Sequence, residues 1–373
     1  MYMKILLISS RFFPFKGGVE NVVEHLYNKF SKNNEVYLLT TQVNTDTSES
    51  DSKYKIKRIW LGVPSSLKGF LAFPIRFVRS CVELLNYVSE INPDIINYHF
   101  LDDSVLYVGI LRIFNRKSKL IVNIHGNDLH IFSKKFYLRF FMKRVLNDAS
   151  KIIVNSNYMR EELIASHLFG DSKKIIVIAN GFEILEDKSL GSDFSKPEYQ
   201  YIFCVGRMVY KKGIDLLIEA FSKLNAPSLH LIIEGKGDEL ENIKALIIAK
   251  NLSDRVHLKE GSCSDSEKLF LMRNALFGVI PSRIEPFGIV ALEYLYTETP
   301  LISSRTGGLV DILKDEYSAL FFKNENIDDL VIKMNELINN DELRQKITKS
   351  NKEILKGYDW NTISKKYLDC FNN

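Results

Sequence analysis

The chain has 373 residues, 46% hydrophobic and 26% charged, which excludes a disordered polypeptide and, at ~150 residues per domain, predicts two domains. Fifty Lys/Arg against 46 Asp/Glu leave a modest +4, and no nucleic-acid partner is expected. The four cysteines (Cys81, Cys204, Cys263, Cys370) lie far apart, which excludes a Cys-x-x-Cys metal or redox motif and reads as reduced core residues.

Met1 to Ser10 begins like a signal peptide, but the apolar run is short and no small-residue cleavage site follows. It predicts a buried first strand, Lys4 to Ser9. No apolar run approaches the ~20 residues of a membrane span, so a cytoplasmic or membrane-peripheral protein is expected. Gly17-Gly18 comes next, and Val19, Val22, Val23, Leu26 and Phe30 then recur at helical spacing. Further strands are predicted over 35–40, 94–98, 120–124, 151–155 and 175–178. The pattern restarts at Tyr201 to Val205, with helices over 214–224, 240–250 and from 287, and strands over 229–233, 256–258, 277–280 and 300–303. Alternating strands and helices mean βαβ units and parallel sheets. The polar stretch Glu183 to Glu198 reads as a linker. The expected fold class is α/β, two doubly wound Rossmann-like domains (1–185 and 186–357) facing across a cleft, with ligands at the carboxyl ends of the strands. Residues 1–185 hold 25 Lys/Arg and 17 Asp/Glu, a net of +8, and the remainder hold 25 and 29, a net of −4.

The densest motif is Pro281-Ser282-Arg283-Ile284-Glu285-Pro286-Phe287-Gly288-Ile289-Val290-Ala291-Leu292-Glu293. Pro286 suits a first helical position, which places Glu285 at a helix cap and Glu293 about two turns further in. The amides of Phe287, Gly288 and Ile289 then lie at the positive end of a helix dipole, an anion site. The two glutamates are too far apart to share a proton. They suit hydroxyls at both ends of a long ligand with an anionic middle, the shape of a nucleoside-diphosphate sugar. The plainer reading is a capping Glu and an unrelated surface Glu.

Upstream, Gly206-Arg207-Met208-Val209-Tyr210-Lys211-Lys212-Gly213 places Arg207 and Lys212 after a strand, where phosphates would lie. A solvated basic loop is the alternative. Gly235 and Gly237, in Glu234-Gly235-Lys236-Gly237, permit backbone contact with a ligand or make a bare turn. Gly307-Gly308 adds a glycine pair after a later strand.

These motifs together resemble glycosyltransferase family 4, retaining enzymes of the GT-B fold, over nearly the whole chain. Gly17-Gly18 resembles the family's first-loop glycine pair, Gly206-Arg207 with Lys212-Gly213 its phosphate-binding element, and Glu285-Pro286-Phe287-Gly288 with Glu293 its paired-glutamate motif. Gly307-Gly308 matches a further glycine pair. Asp359-Trp360 and the helix after it resemble the C-terminal segment (358–373) that crosses back onto the first domain. Tyr294 and Tyr296 stand where the family has small residues, Thr299 where it has Gly, and Asp238 where Pro is common.

The resemblance implies sugar transfer from a nucleotide-diphosphate sugar to an acceptor hydroxyl with retention, in cell-surface polysaccharide or glycolipid assembly. No Asp-x-Asp motif appears on the donor loops, so neither metal nor cofactor is expected. Arg207 and Lys212 would stabilise the diphosphate, Glu285 orient the sugar and Glu293 hold the ribose. The resemblance also places His125 against the donor sugar. His99 and Asn155-Ser156, at neighbouring strand ends, are candidate acceptor contacts, and Asn180-Gly181 reads as a turn. A nucleotide-sugar epimerase of the same shape, or a silent nucleotide-sugar-binding subunit, are the competing readings.

Residues 134–146 place Lys135, Arg139 and Lys143 at four-residue spacing beside Phe136, Phe140 and Phe141. Residues 67–81 mix Lys68, Arg76 and Arg79 with Phe70, Leu71, Phe73 and Phe77. Both read either as core helices with solvated faces or as segments that lie on an anionic membrane surface.

Overall fold

A computed structural model describes residues 2–14, 17–43, 51–64, 67–126, 128–129, 136–183, 194–261 and 263–372. The chain forms two compact units, 1–181 with Trp360–Asn373 and Phe182–Asp359. The first unit is a seven-stranded parallel sheet of order β3-β2-β1-β4-β5-β6-β7. Its strands are β1 (Lys4–Ser9), β2 (Glu35–Thr41), β3 (Ile56–Ile59), β4 (Ile95–His99), β5 (Lys119–Ile124), β6 (Lys151–Val154) and β7 (Ile175–Val177). The second is a six-stranded parallel sheet of order β10-β9-β8-β11-β12-β13. Its strands are β8 (Tyr201–Val205), β9 (His230–Glu234), β10 (Val256–Lys259), β11 (Phe277–Ile280), β12 (Leu301–Ser304) and β13 (Leu320–Phe322). Both strand orders reverse direction beside the first strand of the unit, between β1 and β4 and between β8 and β11. Crevices at the carboxyl ends open at such switch points.

The strands are short apolar runs because helices cover both faces of each sheet. In the first unit, helices Leu67–Ile91, Val105–Phe114 and Phe136–Asp148 bury Leu84, Val88, Tyr107, Met142 and Val145 over one face. Helices Gly18–Phe30 and Trp360–Asn372 bury Val22, Leu26, Trp360, Ile363 and Tyr367 over the other. A Cβ on Gly181 would lie 2.3 Å from the Trp360 ring, which also stacks on His25 at 4.7 Å.

The first unit ends four residues before the expected boundary at 185, and its closing helix begins at Trp360 rather than 358. The physical reason is local pairing. The Phe182 amide donates to the Tyr358 carbonyl at 2.7 Å and Phe182 bridges Asp359, so these residues belong to the second unit. Most of the expected linker lies outside the described residues.

The two basic segments need correction. Lys135 lies outside the described residues. Arg139, Phe140 and Lys143 are exposed, but Phe141 turns inward against Gly109. Phe73 and Phe77 are half-buried around Trp60 and Tyr107, whereas Leu71, Ile75, Val78 and Val82 of helix Leu67–Ile91 are exposed.

Candidate functional site

Sequence motifs converge on the switch point of the second sheet. After β8 the chain passes Gly206 and Arg207, makes a 3-10 turn at Tyr210–Lys212, and enters helix Ile214–Ser222 through Gly213 at φ +64°. Only glycine serves there, because a Cβ would fall 2.1 Å from the Pro281 carbonyl. After β11 comes the Glu285 segment. The expected helix from Phe287 is displaced: it runs Ile289–Tyr296, with Gly288 (φ +106°) as its N-cap, so Glu285 is not a cap and Pro286 is not helical. The Glu285 carbonyl instead accepts the Gly308 amide at 2.8 Å. The amides of Phe287, Gly288 and Ile289 have no backbone acceptor among the described residues, so the anion-binding character survives the shift.

The charged residues fall into two pairs. The Lys212 ammonium donates to the Glu285 carboxylate, both mostly buried, and the Ser282 hydroxyl lies 3.4 Å from the same oxygen. Glu293 is paired elsewhere: Lys268, on helix Asp265–Asn274, donates to it at 2.7 Å. Burial pushes the Glu293 carboxyl up, and the Lys268 charge opposes this. Burial lowers Lys268, but Glu293 and Asp265 outweigh it and hold the ammonium above its ordinary value. The structure therefore joins Lys212 to Glu285 and gives Glu293 a separate partner. Arg207 is exposed on the β8 loop with no ion pair among the described residues.

Two residues that matter were not singled out from sequence. Lys268 gave no signal, because its partner lies on another helix. Arg283, inside the motif, is the clamp of the site. Its guanidinium donates to both Asp215 carboxylate oxygens at 2.8 and 2.6 Å, to Glu325 at 2.8 Å and to the Tyr210 carbonyl at 2.8 Å. It also stacks 4.2 Å from the Tyr210 ring. The Arg283 amide donates to the Lys211 carbonyl at 2.9 Å. The lysine turn and the glutamate loop are thus one assembly.

Packing explains the glycines. A Cβ on Gly235 would lie 1.9 Å from the Gly206 carbonyl, and one on Gly237 2.3 Å from the Met208 carbonyl. Gly307 and Gly308 press on the backbone of Glu285, Pro286 and Phe287 in the same way. A Cβ on Gly206 would meet only the Lys212 side chain, at an ordinary contact distance of 3.9 Å. Of the departures from the family pattern, Tyr294 and Thr299 are buried, Tyr296 is half-buried and Asp238 is exposed. Tyr294 fills the space over Gly278 and its hydroxyl donates to the Phe203 carbonyl at 2.8 Å, while Thr299 donates to the Met272 carbonyl at 2.8 Å.

In the first unit, Gly17 is the extended N-cap of helix Gly18–Phe30, and the Glu20 carboxylate reaches back over it. His125 follows β5 and is half-buried. Its amide and that of Gly126 donate to the buried Asp128 carboxylate at 2.9 and 2.7 Å. Burial pushes Asp128 up to about 6 and His125 down to about 4. His99 is fully buried, which corrects its reading as an acceptor contact. Its Nε2 lies 2.7 Å from Asn97 Oδ1 and its Nδ1 3.2 Å from His125 Nε2. An amide oxygen only accepts, so His99 Nε2 carries the proton and its bare Nδ1 accepts from His125 Nε2–H. His125 Nδ1 is left as a lone-pair acceptor. Asn155 is buried, its Oδ1 without a hydrogen-bond partner, and Ser156 caps helix Asn157–Ala165, accepting from the Met159 amide at 3.1 Å.

Known proteins carry the same two halves. Residues 16–184 match the family model "Glycosyltransferase Family 4" and residues 187–354 match "Glycosyl transferases group 1". An uncharacterized glycosyltransferase of Methanocaldococcus jannaschii is 31% identical over 96% of this chain and 95% of its own. Sucrose-phosphate synthase from Thermosynechococcus elongatus has a similar fold, with a TM-score of 0.82, 21% identity, and 99% and 98% of the chains covered. So does Anabaena HepE in complex with UDP-glucose, with a TM-score of 0.76, 17% identity and both chains covered in full. With its two Rossmann-like sheets and both family halves in order, the chain belongs to the family 4, group 1 glycosyltransferases.

Proposed function

We propose that this protein transfers a sugar, with retention and without a metal ion, from a nucleotide-diphosphate donor to an acceptor hydroxyl on a saccharide or lipid-linked glycan, at the cytoplasmic side of cell-surface polysaccharide or glycolipid assembly. The observation that carries the reading is the Lys212–Glu285 pair at the β8–β11 switch point, with exposed Arg207 on the β8 loop and the amides of Phe287, Gly288 and Ile289 after β11. A diphosphate suits cations and amides; sugar hydroxyls suit a carboxylate.

As the bond from the anomeric carbon to the phosphate oxygen breaks, negative charge grows on the diphosphate. Arg207, Lys212 and the amides stabilise that charge more in the transition state than in the ground state. The acceptor oxygen bonds to the same face of the anomeric carbon, and its proton passes to the leaving phosphate, so no protein base is required. Glu285 orients the sugar, His125 Nδ1 accepts from a sugar hydroxyl, and Glu293, backed by Lys268, holds the ribose.

Thermal-shift titration with UDP-, GDP- and ADP-sugars selects the donor, since a ligand of the native state raises its melting temperature. With that donor, Arg207→Ala and Lys212→Ala each lower turnover roughly 10²–10³-fold, as for loss of one preorganised donor. Near-normal transfer by both variants removes the diphosphate assignment. Donor interconversion without an acceptor makes the protein an epimerase instead.

A further inference from the structure

Helix Leu67–Ile91 exposes four aliphatic side chains at spacings of four, three and four: Leu71 (81% exposed), Ile75 (78%), Val78 (59%) and Val82 (51%). That spacing puts them on one stripe, about 16 Å long at 1.5 Å per residue. Exposed Arg76 and Arg79 lie on the same helix, and no acidic residue occurs between 67 and 82. The helix packs beside Val105–Phe114, which packs beside Phe136–Asp148, and all three cover the same face of the sheet. Their outer surfaces therefore look the same way. The second helix ends in exposed Phe114, and the third presents exposed Phe140.

Beside Phe140 is a groove of about 450 Å³ lined by Arg116, Lys143 and Arg144, with Asn147 and Asp148. Asp148 is engaged by Arg112. Arg116, Lys143 and Arg144 have no ion pair among the described residues, and Arg144 Nε is buried without a hydrogen-bond partner. Between residues 105 and 147 the sequence has nine Lys or Arg and one acid, the buried Asp128. A soluble protein gains nothing by leaving an apolar stripe and unneutralised cations in water on one helical layer. A bilayer with anionic headgroups satisfies both, taking the aliphatic stripe into its acyl boundary and the phosphates into the basic groove.

We infer that this helical face of the first unit lies on an anionic lipid bilayer, with Leu71, Ile75, Val78 and Val82 inserted and Arg116, Lys143 and Arg144 gripping lipid phosphates. No helix among the described residues is long and apolar enough to cross the membrane, so the contact is interfacial. The inference rests on the first unit and is independent of the donor site.

The test is vesicle flotation of the full chain, with phosphatidylcholine alone or with about one third phosphatidylglycerol, at low and high salt. Retention on the anionic vesicles at low salt is expected, with at least ~10-fold less on phosphatidylcholine. Ile75→Asp lowers retention at both salt levels. Arg116→Glu with Lys143→Glu removes the preference for anionic lipid. All these side chains are exposed or line an open groove, so melting temperatures and nucleotide binding stay unchanged. No retention of the unaltered protein overturns the inference, as does retention indifferent to the substitutions. A dimer that Ile75→Asp dissociates, without vesicle binding, assigns the stripe to a second copy. Stabilisation by inorganic phosphate that Lys143→Glu abolishes, again without vesicle binding, makes the groove a soluble-anion site.

Discussion

Gly206 and Gly308 separate packing from ligand contact. A methyl group on Gly308 would meet the Pro286 carbonyl at 2.6 Å and Phe287 Cα at 2.7 Å, both backbone, so the loop must move. Gly308→Ala is expected to cost about 1–3 kcal/mol of stability, typical of overpacking, and to raise the donor KM. The nearest neighbour to a methyl on Gly206 is the Lys212 Cδ at 3.9 Å. Gly206→Ala should leave stability within about 0.5 kcal/mol. A raised donor KM in that variant reports a group that approaches the backbone there, and an unchanged KM removes Gly206 from the donor site. His125 yields a pH prediction from the same kind of reasoning. Burial lowers its pKa from the ordinary 6.5 to about 4, because the charged ring is disfavoured. The neutral form, with Nδ1 free to accept, is therefore kept as pH falls through 6.5 and lost only near 4. The acid limb of kcat/KM attributable to this residue belongs near pH 4. A limb near 6.5 that His125→Gln abolishes would show the imidazole to be solvated.

The loops around the switch point act as a unit because Arg283 ties them together, and its fork geometry is the testable part. Lysine keeps the charge but cannot reach both Asp215 oxygens, Glu325 and the Tyr210 carbonyl together. Arg283→Lys is expected to cost about 1.5–3 kcal/mol, the scale of one hydrogen bond to a charged group. It should also weaken donor binding, because Lys212 and Glu285 sit on the two loops it joins. Unchanged donor affinity by titration would make Arg283 a stability residue only. Motif recognition singled out Lys212 and Glu285, whose side chains the structure pairs, since glycines and charges at strand ends are local signals. The helix start escaped it because Pro286 is a good first helical residue, whereas the decisive event is distant: the Gly308 amide takes the Glu285 carbonyl, and Gly288 turns the chain. β3 and β13 were not legible either. β3 is a four-residue edge strand carrying Lys57 and Arg58, and β13 has three residues, too few for a pattern. The exposed stripe on Leu67–Ile91 was obscured by Phe73 and Phe77, which turn inward onto Trp60 and Tyr107.

At the scale of the whole molecule, the chain leaves the first unit at Gly181 and returns to it at Trp360, so the first unit is finished only when the last fourteen residues are in place. The Trp360–Asn372 helix supplies Trp360, Ile363, Tyr367 and Phe371 to the core beneath helix Gly18–Phe30. That helix also carries the Gly17-Gly18 entry. The Trp360 ring fills the space that glycine leaves at 181 and stacks on His25. Trp360→Ala is therefore expected to cost the first unit about 3–5 kcal/mol, the range for a buried aromatic truncated to alanine. Both tryptophans of the chain, Trp60 and Trp360, lie in this unit. Tryptophan fluorescence thus reads its unfolding directly, while the far-ultraviolet circular dichroism signal reads both units. In urea, the variant should show an earlier fluorescence transition, reported by Trp60, with a second dichroism transition left where it was. Donor nucleotide should still delay that second transition, because it binds the unit that has not been touched. A single shifted transition seen by both probes, with nucleotide protection lost, would show that the closing helix holds the two units together as one cooperative body.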